Sequence, residues 1–305
     1  MLLAHLAAFI AIPFLLVPRE MRRTEMGWLF GLYLVAFGLS GTKLFLSGNI
    51  AGLLGAALIL ATRHSVRQHS YAALWIVLLI VCQIKIYFIT FLIVPFLLER
   101  NILKPLLGGA LILLSYSANY FIAPELFHQF STALLQSSES GSLIGTSVMS
   151  AAQAALARLP NAQALPVVWI ALAIHAVYSL LVVMFAAVVL WSRRGSEQAE
   201  GAPAAMTFLW VLMTALLLSP RLLPYDLALL VIPFVLLLRH LLLNGRRGRH
   251  FAGAALVIAA SLGLTPLADW AAVVALLGVW AGMGFQWLDP AGSGTGYARK
   301  TMVGQ

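Results

Sequence analysis

The sequence predicts an all-α chain, a polytopic integral membrane helix bundle with about eleven membrane segments and one larger external loop. Three observations predict it. Of 305 residues, 62% are hydrophobic and only 10% charged, with a mean hydropathy of +0.95. A soluble domain is about 45–50% apolar and about 25% charged, so a water-soluble enzyme of this composition would lack the polar surface to cover itself. The apolar residues fall in runs without strand-like alternation, and a backbone in lipid must satisfy its own hydrogen bonds, so the runs read as helices. Threading them alternately through a bilayer then sorts the 19 cations 15 to 4.

The first run, Leu2–Val17, lacks the basic stretch of a signal peptide and reads as a membrane helix that stays. Past Arg19, Arg22 and Arg23 come Trp28–Leu46 and, after Gly48-Asn49, Ile50–Ala61. Arg63 and Arg67 precede Tyr71–Ile84, which Lys85 separates from Ile86–Leu98. Arg100 and Lys104 precede Leu106–Ala123. Pro166–Trp191 runs into Arg193 and Arg194, and Met206–Leu218 into the stretch from Ser219 to Pro224. Tyr225–Leu238 ends at Arg239, the cations Arg246, Arg247 and Arg249 precede Phe251–Leu264, and Trp270–Leu288 closes the series.

The cation-rich side is the cytoplasm, which puts Met1 outside and Gln305 inside; only Lys43, Lys85, Arg158 and Arg221 stay on the outer side. The net charge of +9 would raise nucleic acid as a partner for a soluble protein. Here the positive-inside rule accounts for it, so the expected partner is the lipid bilayer and no nucleic acid. The Arg-over-Lys and Ala/Leu bias points to a multi-pass protein of a bacterial inner membrane. The one cysteine, Cys82, sits in an apolar run, which excludes a disulfide scaffold. Residues 1–305 read as one membrane domain. Within it, 124–165 form a polar external loop and 289–305 a disordered cytoplasmic tail. In the loop, Ser147–Leu159 reads as an amphipathic helix with Val148, Ala152, Ala155 and Leu159 on one face, lying along the membrane surface.

Two segments are short. A crossing needs about 20 helical residues, and Ile50–Ala61 and Ile86–Leu98 supply about two-thirds of that, roughly 18–20 Å. Either polar flanks extend them, or a recess opens outward where Asn49, Lys85 and Arg221 meet the segment ends; the second is the reading adopted.

No two of the seven histidines have metal-ligand spacing, and phosphate-cradling glycine motifs and hydrolase signatures are absent, so neither metal nor cofactor is expected. The outer polar residues carry more information. Asp226 follows Ser219-Pro220-Arg221-Leu222-Leu223-Pro224-Tyr225, and an aspartate in a membrane segment costs about 2.5–3.5 kcal/mol on the insertion scale. Either it caps the following helix and pairs with Arg221, or the pair binds a phosphate or sugar. Lys85, the one charge between Tyr71 and Leu98, either snorkels to the interface or holds a lipid phosphate.

Three stretches taken in order resemble family 87 of the membrane glycosyltransferases, the polyprenol-phosphate-mannose-dependent group. They are Ser47-Gly48-Asn49-Ile50-Ala51-Gly52-Leu53-Leu54, then Ile84-Lys85-Ile86-Tyr87 running to Leu98-Glu99-Arg100-Asn101, then Ser219–Leu230 with Pro220, Pro224 and Asp226. The resemblance implies a hexosyltransferase, specifically a mannosyltransferase. It would move a mannose-like sugar from a polyprenyl-phosphate donor to a glycolipid or glycan acceptor on the outer face. It implies Lys85, Arg221, Asn49 and Tyr225 as substrate-binding residues, the two cations stabilising the leaving phosphate. Family members keep a catalytic Asp in the first external loop, whereas this sequence has no Asp before Asp226 and no external acid before Glu125. The expectation is therefore a chain that lacks the family's N-terminal helix and catalytic loop: a truncated gene product, half of a split protein, or a member without catalysis. The general base is unassigned, with Asp226 the candidate present and Glu125, Glu139 and Asp269 as external acids without motif support. The alternative is a non-catalytic polyprenyl-lipid carrier or accessory subunit.

Overall fold

The computed structural model describes residues 2–46, 50–68, 70–129, 132, 147–160, 166–193, 202–222, 226–244, 247–265 and 270–288. The architecture is all-helical, with no strand among the described residues. In chain order the helices are α1 (Leu2–Leu16), α2 (Arg22–Leu46), α3 (Ala51–Gln68), α4 (Ala72–Ile84), α5 (Ile93–Glu99) and α6 (Leu103–Ile122). They continue with α7 (Val148–Ala157), α8 (Val167–Arg193), α9 (Ala202–Leu217), α10 (Ala228–Asn244), α11 (Arg247–Gly263) and α12 (Ala271–Leu288). Two 3-10 helices, Arg19–Met21 and Ile86–Leu92, lead into α2 and α5. Three stretches, Leu103–Ile122, Val167–Ser192 and Trp270–Leu288, are long and apolar enough to cross a membrane.

The centre of the bundle is α9 and the start of α10. Phe208 to Leu217 and Leu227 to Ile232 are buried all round, as expected of helices apolar on every face. The outside is apolar too: α6 exposes Leu106, Leu107, Leu114 and Phe121, and α8 exposes Trp169, Val177, Leu181 and Val188. Facing water, such stripes would form patches far larger than soluble monomers tolerate.

Polar handles in the core are closed on themselves. Trp210 and Trp280 stack with centroids 5.3 Å apart and planes 5° off parallel. The Trp210 indole donates to the Trp280 carbonyl at 2.8 Å, the Trp280 indole to Thr214 Oγ1 at 2.8 Å, and that hydroxyl to the Trp210 carbonyl at 2.8 Å.

Beside this cluster α11 and α12 touch backbone to backbone. A Cβ on Gly278 would lie 2.0 Å from that of Ala255, and one on Gly282 would lie 2.8 Å from the Gly248 carbonyl. Gly278 and Gly282 are four apart, the small-residue spacing that lets helices approach closely where no hydrophobic effect drives them together. Gly278→Ala should therefore destabilise by about 1–3 kcal/mol through overpacking. Gly253→Ala on α11, where a Cβ meets nothing within 4 Å, should be neutral or stabilising through helix propensity. Thermal unfolding of the two purified variants, side by side, checks the contrast.

Helix bounds differ from the hydropathy runs where a charged flank has a partner. Arg22 donates to the carbonyls of Val17 (3.2 Å) and Phe14, and Arg63 donates to that of Leu15 at 2.5 Å. These guanidiniums take the carbonyls that the end of α1 leaves without intrahelical partners. Accordingly α2 starts at Arg22 rather than Trp28, and α3 runs past Ala61 to Gln68, about 27 Å at 1.5 Å per residue. The segment beginning at Ile86 is short in residues but winds as a 3-10 helix to Leu92 before α5. At about 2.0 Å per residue over that part it reaches roughly 24 Å. Polar flanks and tighter winding thus lengthen the bare runs without reaching the roughly 30 Å of a full crossing.

Near its C-terminal end α2 turns by 83° between Arg22–Phe37 and Ser40–Leu46. Phe37 takes φ 49 there, a conformation costly for a bulky side chain. The hydroxyls of Ser40 and Thr42 bond the carbonyls of Ala36 and Leu34 at 3.0 and 3.1 Å. Gly41 is required at this turn, since a Cβ would sit 2.1 Å from the Tyr33 carbonyl oxygen.

Candidate functional site

The end of α4 is pinned to α6 by an amide relay. Gln83 Nε2 donates to Ser115 Oγ at 3.1 Å, and Asn119 Nδ2 donates to Gln83 Oε1 at 2.9 Å. Two residues on, Lys85 leaves helical geometry (φ −138, ψ 86) and the chain resumes as the 3-10 helix. The break turns the Lys85 side chain inward, leaving it 12% exposed with Nζ 3.7 Å from Oδ1 of the fully buried Asp226. The Tyr87 hydroxyl donates to the other carboxylate oxygen at 3.1 Å, and Lys85 Nζ lies 5.4 Å from the Tyr87 ring centroid. Asp226 is thus held from both sides just before α10, its own carbonyl accepting the Leu229 amide at 3.0 Å.

Arg221 comes from the corner between α9 and α10, where side chains take the carbonyls that a helix end leaves open. The Tyr178 hydroxyl donates to the Leu217 carbonyl at 3.1 Å and His175 Nε2 to that of Leu218 at 3.2 Å. Ser147 Oγ donates to the Pro220 carbonyl at 2.5 Å and Ser219 Oγ to that of Arg221 at 3.1 Å. On this rigid corner Arg221 is half-buried, its Nε has no hydrogen-bond partner, and its charge is near enough to Lys85 to repel it.

Two cations and one carboxylate, Lys85, Arg221 and Asp226, therefore share one end of the bundle with a formal sum of +1 (2 − 1). Asp226 acts on Lys85 more strongly than Arg221 does, so the positive charge left open to a visiting anion at this end is that of Arg221.

Of the residues singled out from the sequence, Lys85, Arg221 and Asp226 come together; the carboxylate faces Lys85 and Tyr87. Asn49 and Tyr225 lie outside the described residues, as do Glu139 and Asp269, and Glu125 is exposed. The loop helix α7 spans Val148–Ala157, capped by Ser147 Oγ, which accepts from the Ser150 amide at 3.1 Å. It does not rest on one apolar stripe. Ser147, Ser150 and Gln153 are buried along with Val148, Ala151 and Ala152, while Leu159 is 49% exposed. Its first turns are enclosed by the corner and α8 because the Ser147–Pro220 bond draws them in.

Sequence reasoning missed Tyr87, Gln153, His175 and Tyr178. The signal for His175 was an ionisable ring inside the long apolar run Pro166–Trp191, a placement that is expensive in a membrane; Tyr87 offered none beyond its nearness to Lys85. Among the described residues no cluster of three or more His, Cys, Asp or Glu side chains could hold a metal. No protein-family model, curated protein or solved structure matches this chain.

Proposed function

We propose that the chain is a multi-pass protein of a bacterial inner membrane, crossing about eleven times. It binds a polyprenyl-phosphate-linked sugar at the outer end of its bundle and transfers the sugar, mannose-like, to a glycolipid or glycan acceptor. The observation that carries the reading is that Lys85, paired with the buried Asp226, has Arg221 near enough for the two cations to repel each other. A phosphate between the cations offsets their repulsion, and the same cations stabilise it as it leaves the anomeric carbon. The resemblance to family 87 glycosyltransferases supplies the sugar chemistry. The non-catalytic alternative keeps one observation in its favour: Asp226 is buried and engaged by Lys85 and Tyr87, an arrangement suited to positioning Lys85 rather than to accepting a proton from an acceptor hydroxyl.

The test uses the purified chain in nanodiscs with radiolabelled polyprenyl-phosphate mannose. Wild type should bind it, and Arg221→Gln should bind about 10–100-fold more weakly, the worth of one charged hydrogen bond. Appearance of label in a glycolipid or glycan fraction supports transfer. Binding without transfer supports the carrier or accessory reading, and absence of binding by wild type sinks both.

Several of the proposed cytoplasmic cations are held at helix ends by neighbouring segments. Arg22 and Arg63 meet the end of α1, Arg239 pairs with Glu25 at 3.0 Å, Lys104 pairs with Glu99, and Arg100 bonds the Trp191 carbonyl. In a Cys82→Ala background, Ser142→Cys should react with an impermeant thiol reagent from outside intact cells and Ser196→Cys should be protected. The reverse pattern would invert the topology.

A further inference from the structure

The corner that carries Arg221 is held from outside its own helix. The Leu218 and Ser219 amides still bond back into α9, to the Thr214 and Leu216 carbonyls at 3.2 and 3.0 Å. The carbonyls from Leu217 onward have no next helical turn to bond, and such groups take partners from elsewhere. Two partners come from α8: the Tyr178 hydroxyl donates to the Leu217 carbonyl at 3.1 Å, and His175 Nε2 to that of Leu218 at 3.2 Å. A third, Ser147 Oγ at the head of α7, donates to the Pro220 carbonyl at 2.5 Å. Tyr178 and His175 are three apart on one face of α8, their ring centroids 5.7 Å from each other. Leu217 and Leu218 are buried, so a lost donor leaves a carbonyl with little water to replace it.

Arg221 does not anchor itself through Nε, which is buried and makes no hydrogen bond. A long side chain without that anchor is placed by the backbone it leaves from, and Pro220 before it has no N–H with which to fix that backbone. The place of this charge, near enough to Lys85 to repel it, is therefore decided by bonds that span 39, 43 and 73 residues of sequence. We propose that Tyr178 and His175, on one face of α8, are positioning residues for the phosphate of a polyprenyl-phosphate lipid: by clasping the Leu217 and Leu218 carbonyls they hold Arg221 where that phosphate meets it. They act through Arg221 and not on the lipid. The inference rests on the reading of Arg221 as a phosphate-binding cation. Capping of α9 for stability alone predicts no link between these two side chains and Arg221.

The experiment uses the full chain in nanodiscs with polyprenyl phosphate without sugar as the probe, at a temperature where thermal unfolding shows every variant folded. Tyr178→Phe removes one hydroxyl and keeps the ring beside His175. It should weaken binding about three- to tenfold, the worth of one hydrogen bond. In an Arg221→Gln background the same substitution should change nothing, because residues that act through one another are not additive. His175→Leu should behave like Tyr178→Phe, and His175→Gln, which keeps a donor for Leu218, should restore most of the affinity. A second reading needs no ligand. In a Cys82→Ala background, Arg221→Cys should react with an impermeant thiol reagent about three- to tenfold faster once Tyr178→Phe is added, since the corner opens more often. Unchanged binding in Tyr178→Phe, or an equal loss with and without Arg221, refutes the positioning role, as does an unchanged rate at Cys-substituted 221. If the wild type binds no phosphate lipid while that rate still rises, the phosphate reading fails and the clasp on the corner stands.

Discussion

Asp226→Ala should be among the most damaging single substitutions in the chain, costing about 3–5 kcal/mol, because it leaves Lys85 in the bundle without its carboxylate. Tyr87 also loses the acceptor of its hydroxyl. The pair itself is not worth that much, since two charges must be stripped of solvent to form it. The double variant Lys85→Met with Asp226→Ala should therefore recover most of the loss. Asp226→Asn, which keeps an acceptor for Tyr87, should fall between. Thermal unfolding in detergent reads all three, and equal instability of the single and double variants would show that the pair is not the cause. The double variant separates fold from ligand as well. It should be stable yet bind the phosphate lipid poorly, because one of the two cations is gone.

Trp210→Ala should cost a similar amount, about 3–5 kcal/mol, as removal of a large buried aromatic does. Trp210 is fully buried, stacks on Trp280, and bonds through its indole to the Trp280 carbonyl. Trp210→Phe should cost less, because a ring still fills most of the space. Thr214→Val tests the polar part of the cluster. It keeps the shape but orphans the Trp280 indole, at about 1–3 kcal/mol. A Thr214→Val variant as stable as wild type would mean that the indole finds another acceptor. These losses act on the packing of α9 against α12, so ligand affinity in the surviving folded fraction should be unchanged.

The sequence by itself determined that the chain is helical and where its apolar runs lie, because hydropathy and backbone satisfaction are local properties of a run. It also made Lys85, Arg221 and Asp226 stand out, since a charge in an apolar stretch is costly wherever the stretch packs. Helix ends were only partly legible. Arg22 and Arg63 read as loop residues by hydropathy, and they are helical because each reaches carbonyls of α1, a contact that exists only once α1, α2 and α3 are side by side. The winding of Ile86–Leu92 as a 3-10 helix was not legible either, for its apolar residues are equally compatible with an α-helix. Only the tertiary structure decided that Asp226 faces Lys85 and Tyr87, the last 139 residues away in sequence. It alone brought Ser147 at the start of α7 and His175 on α8 to the carbonyls of the corner that carries Arg221. The physical reason is that such partnerships depend on which helices become neighbours and how each is rotated about its axis. A run of leucines, valines and alanines satisfies lipid at any rotation, so the choice falls to sparse polar bonds and glycine contacts between distant segments.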